Sequence, residues 1–403
     1  MGKAVLPKLI LIFLSVDWPI FSRRPMVTAL AKAVEKLGTN VIAINRPLCP
    51  FSTALRKPRR LSEFLARPKL TRLEENLYLY SPKYFLHDHF SRKGNIVERL
   101  NIVALRRSVD SVQKRIGVFE SSPIVWYYHP QQAYVSRIYD QSFNIFELYD
   151  NLTSVDGDYD PAVLRREEDW KAEVDLFLAT SPKLLQTYGA GYKKSRFVKN
   201  GLAERDYHQL STRKQSDSGI LGQIKHPRLG FAGVISERLD WKTILGVADA
   251  RPDWNLVFAG RVTADKYSSL MSSRSNIHYL GEFSQEQIWT IVAEFDLGIM
   301  PYVDNEFFRF SNPLKFYETC AAGIPSVSSP MEILNSFPVK VVRICEGGVE
   351  DWTEAISSML NGTNPETANL CKKIASQHTW ESICTDLVSE LEAIRSSPSN
   401  NVS

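Results

Sequence analysis

Phe310-Ser-Asn-Pro-Leu-Lys-Phe-Tyr-Glu318-Thr-Cys-Ala-Ala-Gly323-Ile-Pro325 follows an apolar run, Phe295 to Met300, and a loop, Pro301 to Arg309. The spacing predicts a buried strand, then a helix with Ser311 or Asn312 as cap and Pro313 at its first position. Gly323 closes that helix and Pro325 opens the next extended run. Lys315 and Glu318 are three apart, so they share one face near the helix end that attracts anions. A cation for phosphate and a carboxylate for sugar hydroxyls suit one pocket at that place. The same spacing also describes a surface ion pair on a helix that merely packs, and spacing alone favours that plainer role.

Strand followed by helix recurs in both directions from this stretch. Towards the amino terminus, Lys8 to Val16 is a continuous apolar strand, followed by the loop Asp17 to Arg24, a helix from Pro25 to Gly38 and a strand at Asn40 to Ile44. Such a unit implies a parallel sheet covered on both faces. Strands are expected at Asn76 to Tyr80, Ile124 to Tyr128, Phe143 to Leu148, Val174 to Ala179 and Ser195 to Val198, with a helical stretch near Ile96 to Ile116. Polar residues gather where these strands end: His129, Asp150, Ser181, Asn200. A second run carries strands at Arg228 to Ala232, Asn255 to Phe258, Asn276 to Tyr279 and Ser326 to Ser328. Open α/β sheets bind ligands at such strand ends. No GxGxxG follows the first strand, so a common dinucleotide site is not expected there.

A chain of 403 residues is too long for one core. Two α/β domains are expected: residues 1–210, a polar linker at 211–227, and residues 228–375. A helix at 376–396 should cross back to the first domain, with a tail at 397–403. The net charge of +4 argues against global polyanion binding. The basic excess is local, in a run from Arg56 to Arg72 that includes Lys57, Arg59 and Arg60. Interleaved with Leu61, Phe64 and Leu65, that run could dock on anionic lipid headgroups or be a solvated loop. No nucleic-acid-binding motif accompanies it. The five cysteines form no CxxC pair and read as reduced, packed thiols of a cytoplasmic protein. Leu9 to Val16 is too short to span a bilayer. His87 and His89 form a weak metal pattern with no third ligand evident.

Asn312-Pro-Leu-Lys-Phe-Tyr-Glu318 with Ala321-Ala-Gly-Ile-Pro325 resembles the donor-binding signature of the GT-B glycosyltransferases, two Rossmann-like domains facing a central cleft. The wording is closest to the bacterial polysaccharide-biosynthesis transferases of the TuaH/GumK-like group. Gly230-Phe-Ala-Gly-Val-Ile-Ser-Glu-Arg-Leu-Asp-Trp241, Pro252 to Gly260, Asn276 to Gly281 and Phe295 to Pro301 match the same group. The resemblance is specific over about residues 228 to 330 and diffuse before them. It implies that Glu318 holds the donor ribose and Lys315 faces the diphosphate. It also implies that Gly233 admits the phosphates close to the backbone, with Asn312, Arg238 and Arg261 on the same donor side. Fixed cations and backbone N–H groups can stabilise a departing nucleoside diphosphate, so no metal or other cofactor is expected.

Two-glutamate retaining members of the wider fold carry an acid eight positions before the later glutamate, where this chain has Phe310. An inverting reaction gains support, and it needs a base for the acceptor hydroxyl. Asp150, Asp17 and His129 each follow a strand of the first domain and are the candidates, although Asp and His also cap turns. The resemblance thus implies transfer of a sugar from a nucleotide-diphosphate sugar to a saccharide or lipid-linked acceptor, at the inner face of the membrane. Its rivals are a nucleotide-sugar 2-epimerase of the same architecture and a non-catalytic nucleotide-sugar-binding protein.

Overall fold

The computed structural model describes residues 6–47, 69–82, 93–152, 161–213 and 219–396. Arg56, Lys57, Arg59, Arg60, the His87/His89 pair and the 397–403 tail lie outside the described residues. Two compact units emerge: one from Met1–Leu152, Tyr159–Val198 and Glu381–Ser403, the other centred on Lys199–Trp380.

The first unit is built on eight strands: β1 (Leu9–Phe13), β2 (Asn40–Ile44), β3 (Leu70–Arg72), β4 (Leu77–Tyr80), β5 (Ile124–Tyr127), β6 (Phe143–Leu148), β7 (Leu176–Ala179) and β8 (Ser195–Phe197). They lie in the order β3-β4-β2-β1-β5-β6-β7-β8. Every neighbouring pair is parallel except β3 with β4. All five residues of β1 are buried, as a central strand covered on both faces requires. The Arg24–Glu35 helix has Pro25 in its first turn and buries Met26, Leu30 and Val34. Gly38 then adopts a left-handed φ of 71° that lets the chain turn into β2. Asn95 opens the Ile96–Ile116 helix by accepting the Glu98 N–H at 2.8 Å, and Gly117 ends it at φ 71°. In the closing helix, Trp380–Ser396, the Cys384 thiol donates to the Met26 carbonyl (3.5 Å) and Glu390 accepts from Arg196 (2.9 Å).

The second unit has six strands, all parallel: β9 (Arg228–Ala232), β10 (Asn255–Ala259), β11 (Ile277–Tyr279), β12 (Leu297–Met300), β13 (Ser326–Ser328) and β14 (Val342–Ile344). Their order is β11-β10-β9-β12-β13-β14. One apolar layer holds Phe295, Phe316 and Tyr317; another holds Phe231, Trp254 and Trp352.

Where the expected 211–227 linker is described, its residues pack with the second unit. Leu221 is fully buried in the second unit's core, beside Leu210 of the Glu204–Thr212 helix. Arg213 donates to the Thr290 hydroxyl, and the Leu221 N–H donates to Glu294 (3.0 Å). Single apolar anchors hold a polar segment here, and composition averages them away.

Both sheets reverse strand order once among their parallel strands, between β1 and β5 and between β9 and β12. The chain leaves opposite ways from the two carboxyl ends flanking each reversal, and the crevice so formed is where open α/β sheets hold ligands.

Candidate functional site

The reversal in the second unit brings together Gly233, after β9, and the loop and helix that follow β12. That helix spans Leu314–Ala321. Pro313 is its extended N-cap (φ −77°, ψ 119°) rather than its first helical residue, so the helix starts one residue later than the spacing predicts. Gly323, at φ 81°, closes it as expected.

Lys315 projects from the first turn across Gly233. A Cβ on Gly233 would fall 2.3 Å from Lys315 Cε and 2.7 Å from Nζ, so only glycine leaves that path open. Gly260, at φ 129°, is required for a different reason: its Cβ would sit 2.1 Å from the Gly233 carbonyl oxygen. Lys315 Nζ lies 3.9 Å from Glu318 Oε2 and over the Phe231 ring at 5.6 Å. The Glu318 side chain is only 16% exposed. Burial pushes its carboxyl above the ordinary carboxylate range, Lys315 opposes that rise and Asp206 adds to it.

The carboxyl-edge loops around this pair are laced together through the backbone. The Gly233 and Ile235 N–H groups donate to Ala259 and Arg261 carbonyls (2.8 and 2.9 Å). Asp240 N–H donates to Pro301 (2.8 Å) and Val303 N–H to Arg238 (3.0 Å). Arg238 and Arg261 are therefore fixed at the backbone while exposed at the side chain. Asn312 Oδ1 accepts the Tyr317 hydroxyl (2.9 Å), and its carbonyl accepts from Asn200 (2.8 Å).

Sequence reasoning missed Tyr302. Its ring is partly buried, stacked on Phe308 at 4.6 Å and edge-on to Phe231 at 6.0 Å. Burial raises its phenol pKa, Glu318 adds to the rise and Arg238 opposes it. Tyr302 thus registers both candidate charges from one wall. A polar aromatic just past an apolar strand was the signal.

In the first unit, Asp17, His129 and Asp150 follow the carboxyl ends of β1, β5 and β6, three adjacent strands. Asp17 turns the chain, its carbonyl accepting from Ile20 N–H (3.0 Å). His129 Nδ1 accepts the Gln131 N–H at 3.1 Å, so the neutral ring carries its proton on Nε2 and can donate there. That tautomer suits a sugar-hydroxyl contact better than proton abstraction. Asp150 is exposed.

The turn carrying Asp150 is held on both sides. The Tyr149 hydroxyl pairs with Ser15 (3.0 Å), its carbonyl accepts from Thr180 (2.9 Å), and Tyr188 donates to Asn151 Oδ1 (2.6 Å). Beneath it, Arg23 forms a buried ion pair with Glu147, which also accepts from the Trp126 indole (3.0 Å). Burial raises the Glu147 carboxyl against the pull of both partners. Among the described residues no group of three His, Cys, Asp or Glu could hold a metal ion.

Solved structures share this architecture over nearly the whole chain. The sucrose-phosphate synthase of Thermosynechococcus elongatus matches with a TM-score of 0.68 at 13% identity, covering 96% of this chain and 99% of that one. HepE of Anabaena, solved in complex with UDP, gives 0.63 at 14% identity, covering 96% and 100%. The chain has the two-sheet α/β fold of the GT-B glycosyltransferases. In sequence it is similar to the Bacillus subtilis (strain 168) protein that carries the name teichuronic acid biosynthesis glycosyltransferase TuaH, with 28% identity over 197 residues. The match takes in 47% of this chain and 49% of TuaH, so it spans about half the length of that relative. No family model matches the chain.

Proposed function

We propose that the protein is a GT-B glycosyltransferase that moves a sugar from a nucleoside diphosphate sugar to a saccharide or lipid-linked saccharide in surface polysaccharide assembly. The observation that carries this reading is Lys315 lying across Gly233, 3.9 Å from Glu318, at the strand-order reversal of the second unit. A cation with no Cβ beneath it meets a diphosphate, and the neighbouring carboxylate accepts from ribose hydroxyls. Arg238 and Arg261 add positive charge around the departing group. The HepE structures hold UDP, and UDP with glucose, which supports a nucleoside diphosphate as the donor class. The similarity to TuaH supports a polysaccharide setting.

In this reading Asp150 takes the proton from the acceptor hydroxyl. The acceptor oxygen bonds to the anomeric carbon as the carbon–oxygen bond to the diphosphate breaks. The nucleoside diphosphate leaves with that electron pair, and the anomeric configuration inverts. Lys315, backbone N–H groups and the two arginines stabilise its charge, with no metal required. The reaction takes place at the cytoplasmic face of the membrane. No helix among the described residues is long and apolar enough to cross it.

The test is incubation with a panel of labelled nucleoside diphosphate sugars, with and without a bacterial membrane extract. Transfer of label to extract material, dependent on one donor, is expected. Epimerised donor in the absence of any acceptor would make the protein an epimerase, and saturable binding without turnover would make it a binding protein.

A further inference from the structure

The Ile96–Ile116 helix in the first unit has an inner face that packs and an outer face that the proposed reaction does not use. Leu105, Val109 and Val112 are buried. Facing outward, Ile96 is 72% exposed, Leu100 54% and Val103 47%. The steps 96, 100, 103, 107 and 114 keep these three, Arg107 and Lys114 on one line of the helix. Exposed Arg99 and Arg106 flank the line on one side and Arg115 on the other.

The helix's two acids are turned to other work. Glu98 is buried beside Arg137 (3.5 Å), and Asp110 accepts the Tyr139 hydroxyl (2.6 Å). The outward face thus combines three apolar side chains with five cations and one half-buried acid, Asp110, which accepts from Tyr139. Lys114 and Arg115 also suit the negative end of the helix dipole, but Arg99, Arg106 and Arg107 lie too far from it for that explanation. Single exposed apolar residues are ordinary; a line of them among like charges is not.

We propose that this face docks the protein on an anionic lipid bilayer. Ile96, Leu100 and Val103 enter the headgroup–acyl boundary, while the arginines and Lys114 reach anionic headgroups along their own apolar stems. Charge decides against a second copy of the chain as the occupant, because a two-fold contact would press this cationic face against itself. A nucleic-acid backbone would satisfy the cations and leave the apolar line unused. The surface stands on its own geometry and does not rest on the proposed reaction.

The experiment is cosedimentation of the full chain with phosphatidylcholine vesicles, with and without phosphatidylglycerol. Binding only to the anionic vesicles, weakened by salt, is expected. Arg99→Glu/Arg107→Glu/Lys114→Glu and, separately, Ile96→Ser/Leu100→Ser/Val103→Ser should each lower the partition coefficient at least roughly tenfold. Both variants change exposed positions and should melt like the parent. Arg56→Glu/Lys57→Glu/Arg59→Glu/Arg60→Glu serves as the comparison for the other basic run. Unchanged partition of both helix variants overturns the proposal. So does loss confined to the comparison variant, equal binding to phosphatidylcholine alone, no vesicle binding by the parent, or preferential capture by duplex DNA.

Discussion

The carboxyl edges of the two sheets differ in which groups carry the hydrogen bonds near the candidate residues. In the second unit, backbone hydrogen bonds lace the loops together and leave the charged side chains of Lys315, Arg238 and Arg261 to other work. In the first unit, side-chain bonds add to the backbone ones: His129 caps, Tyr149 meets Ser15, and Tyr188 holds Asn151. An edge held by backbone can present several charges at once, as binding a diphosphate demands. An edge held by side chains as well presents few groups in fixed places, as a single proton transfer demands. Substitutions at the two edges should therefore separate binding from chemistry.

The largest effect is expected at Asp150. Removing a general base typically lowers the rate by about a hundredfold to ten-thousandfold. Asp150→Asn should show that loss in transfer while binding the nucleotide sugar as the parent does. Full activity would shift the role to Asp17, since His129 already commits its Nδ1 lone pair to the Gln131 N–H. Next comes Lys315→Ala. A hydrogen bond to a charged group is worth about 1.5–3 kcal/mol, so nucleoside diphosphate affinity should fall about tenfold to a hundredfold by calorimetry. Gly233→Ala should act in the same direction without harming the fold, because the atoms it displaces are the far end of a flexible lysine. Equal affinity in both variants would mean that Lys315 is the packing residue its spacing alone favoured.

The strands were legible because continuous apolar runs leave little choice: β2 and β6 fall where the pattern put them. The Gly323 stop of the Leu314–Ala321 helix was legible too, since a glycine placed to take the left-handed region is a local signal. Lys315 and Glu318 were visible as a pair, but the Gly233 clearance that gives the pair meaning spans distant parts of the chain. The bonds from Asn200 to Asn312 and from Tyr188 to Asn151 likewise join residues far apart in sequence, and no periodicity signals them. In the described parts of 211–227, composition does not signal the packing of Leu221 and Ile224 on the second unit's core. Tyr188→Phe tests the hidden class directly. Loss of the 2.6 Å bond to buried Asn151 should lower stability by about 1–3 kcal/mol in denaturant melts. Transfer should fall with it if that bond holds the Asp150 turn, and donor affinity should not.

The smallest effect is the most diagnostic of the donor edge. Folding raises the Glu318 pKa above its ordinary 4.5, chiefly by burial. The folded protein therefore holds that proton more tightly than the unfolded chain. The resulting stabilisation is fully present below the ordinary value and is lost as pH rises through the raised one. At neutral pH an ionised Glu318 works against folding. Glu318→Gln should consequently melt slightly higher than the parent at pH 7, with the gap closing as pH falls towards 4.5. It should also bind nucleotide sugar more weakly, because an amide is a poorer acceptor for ribose hydroxyls than a carboxylate. A variant that melts lower at pH 7 would show that attraction to Lys315 outweighs burial, making the pair a stabilising contact. Higher melting of Glu318→Gln would mark a carboxylate kept at some expense of stability beside a lysine cleared by glycine, which a ligand-binding edge requires and a packing helix does not.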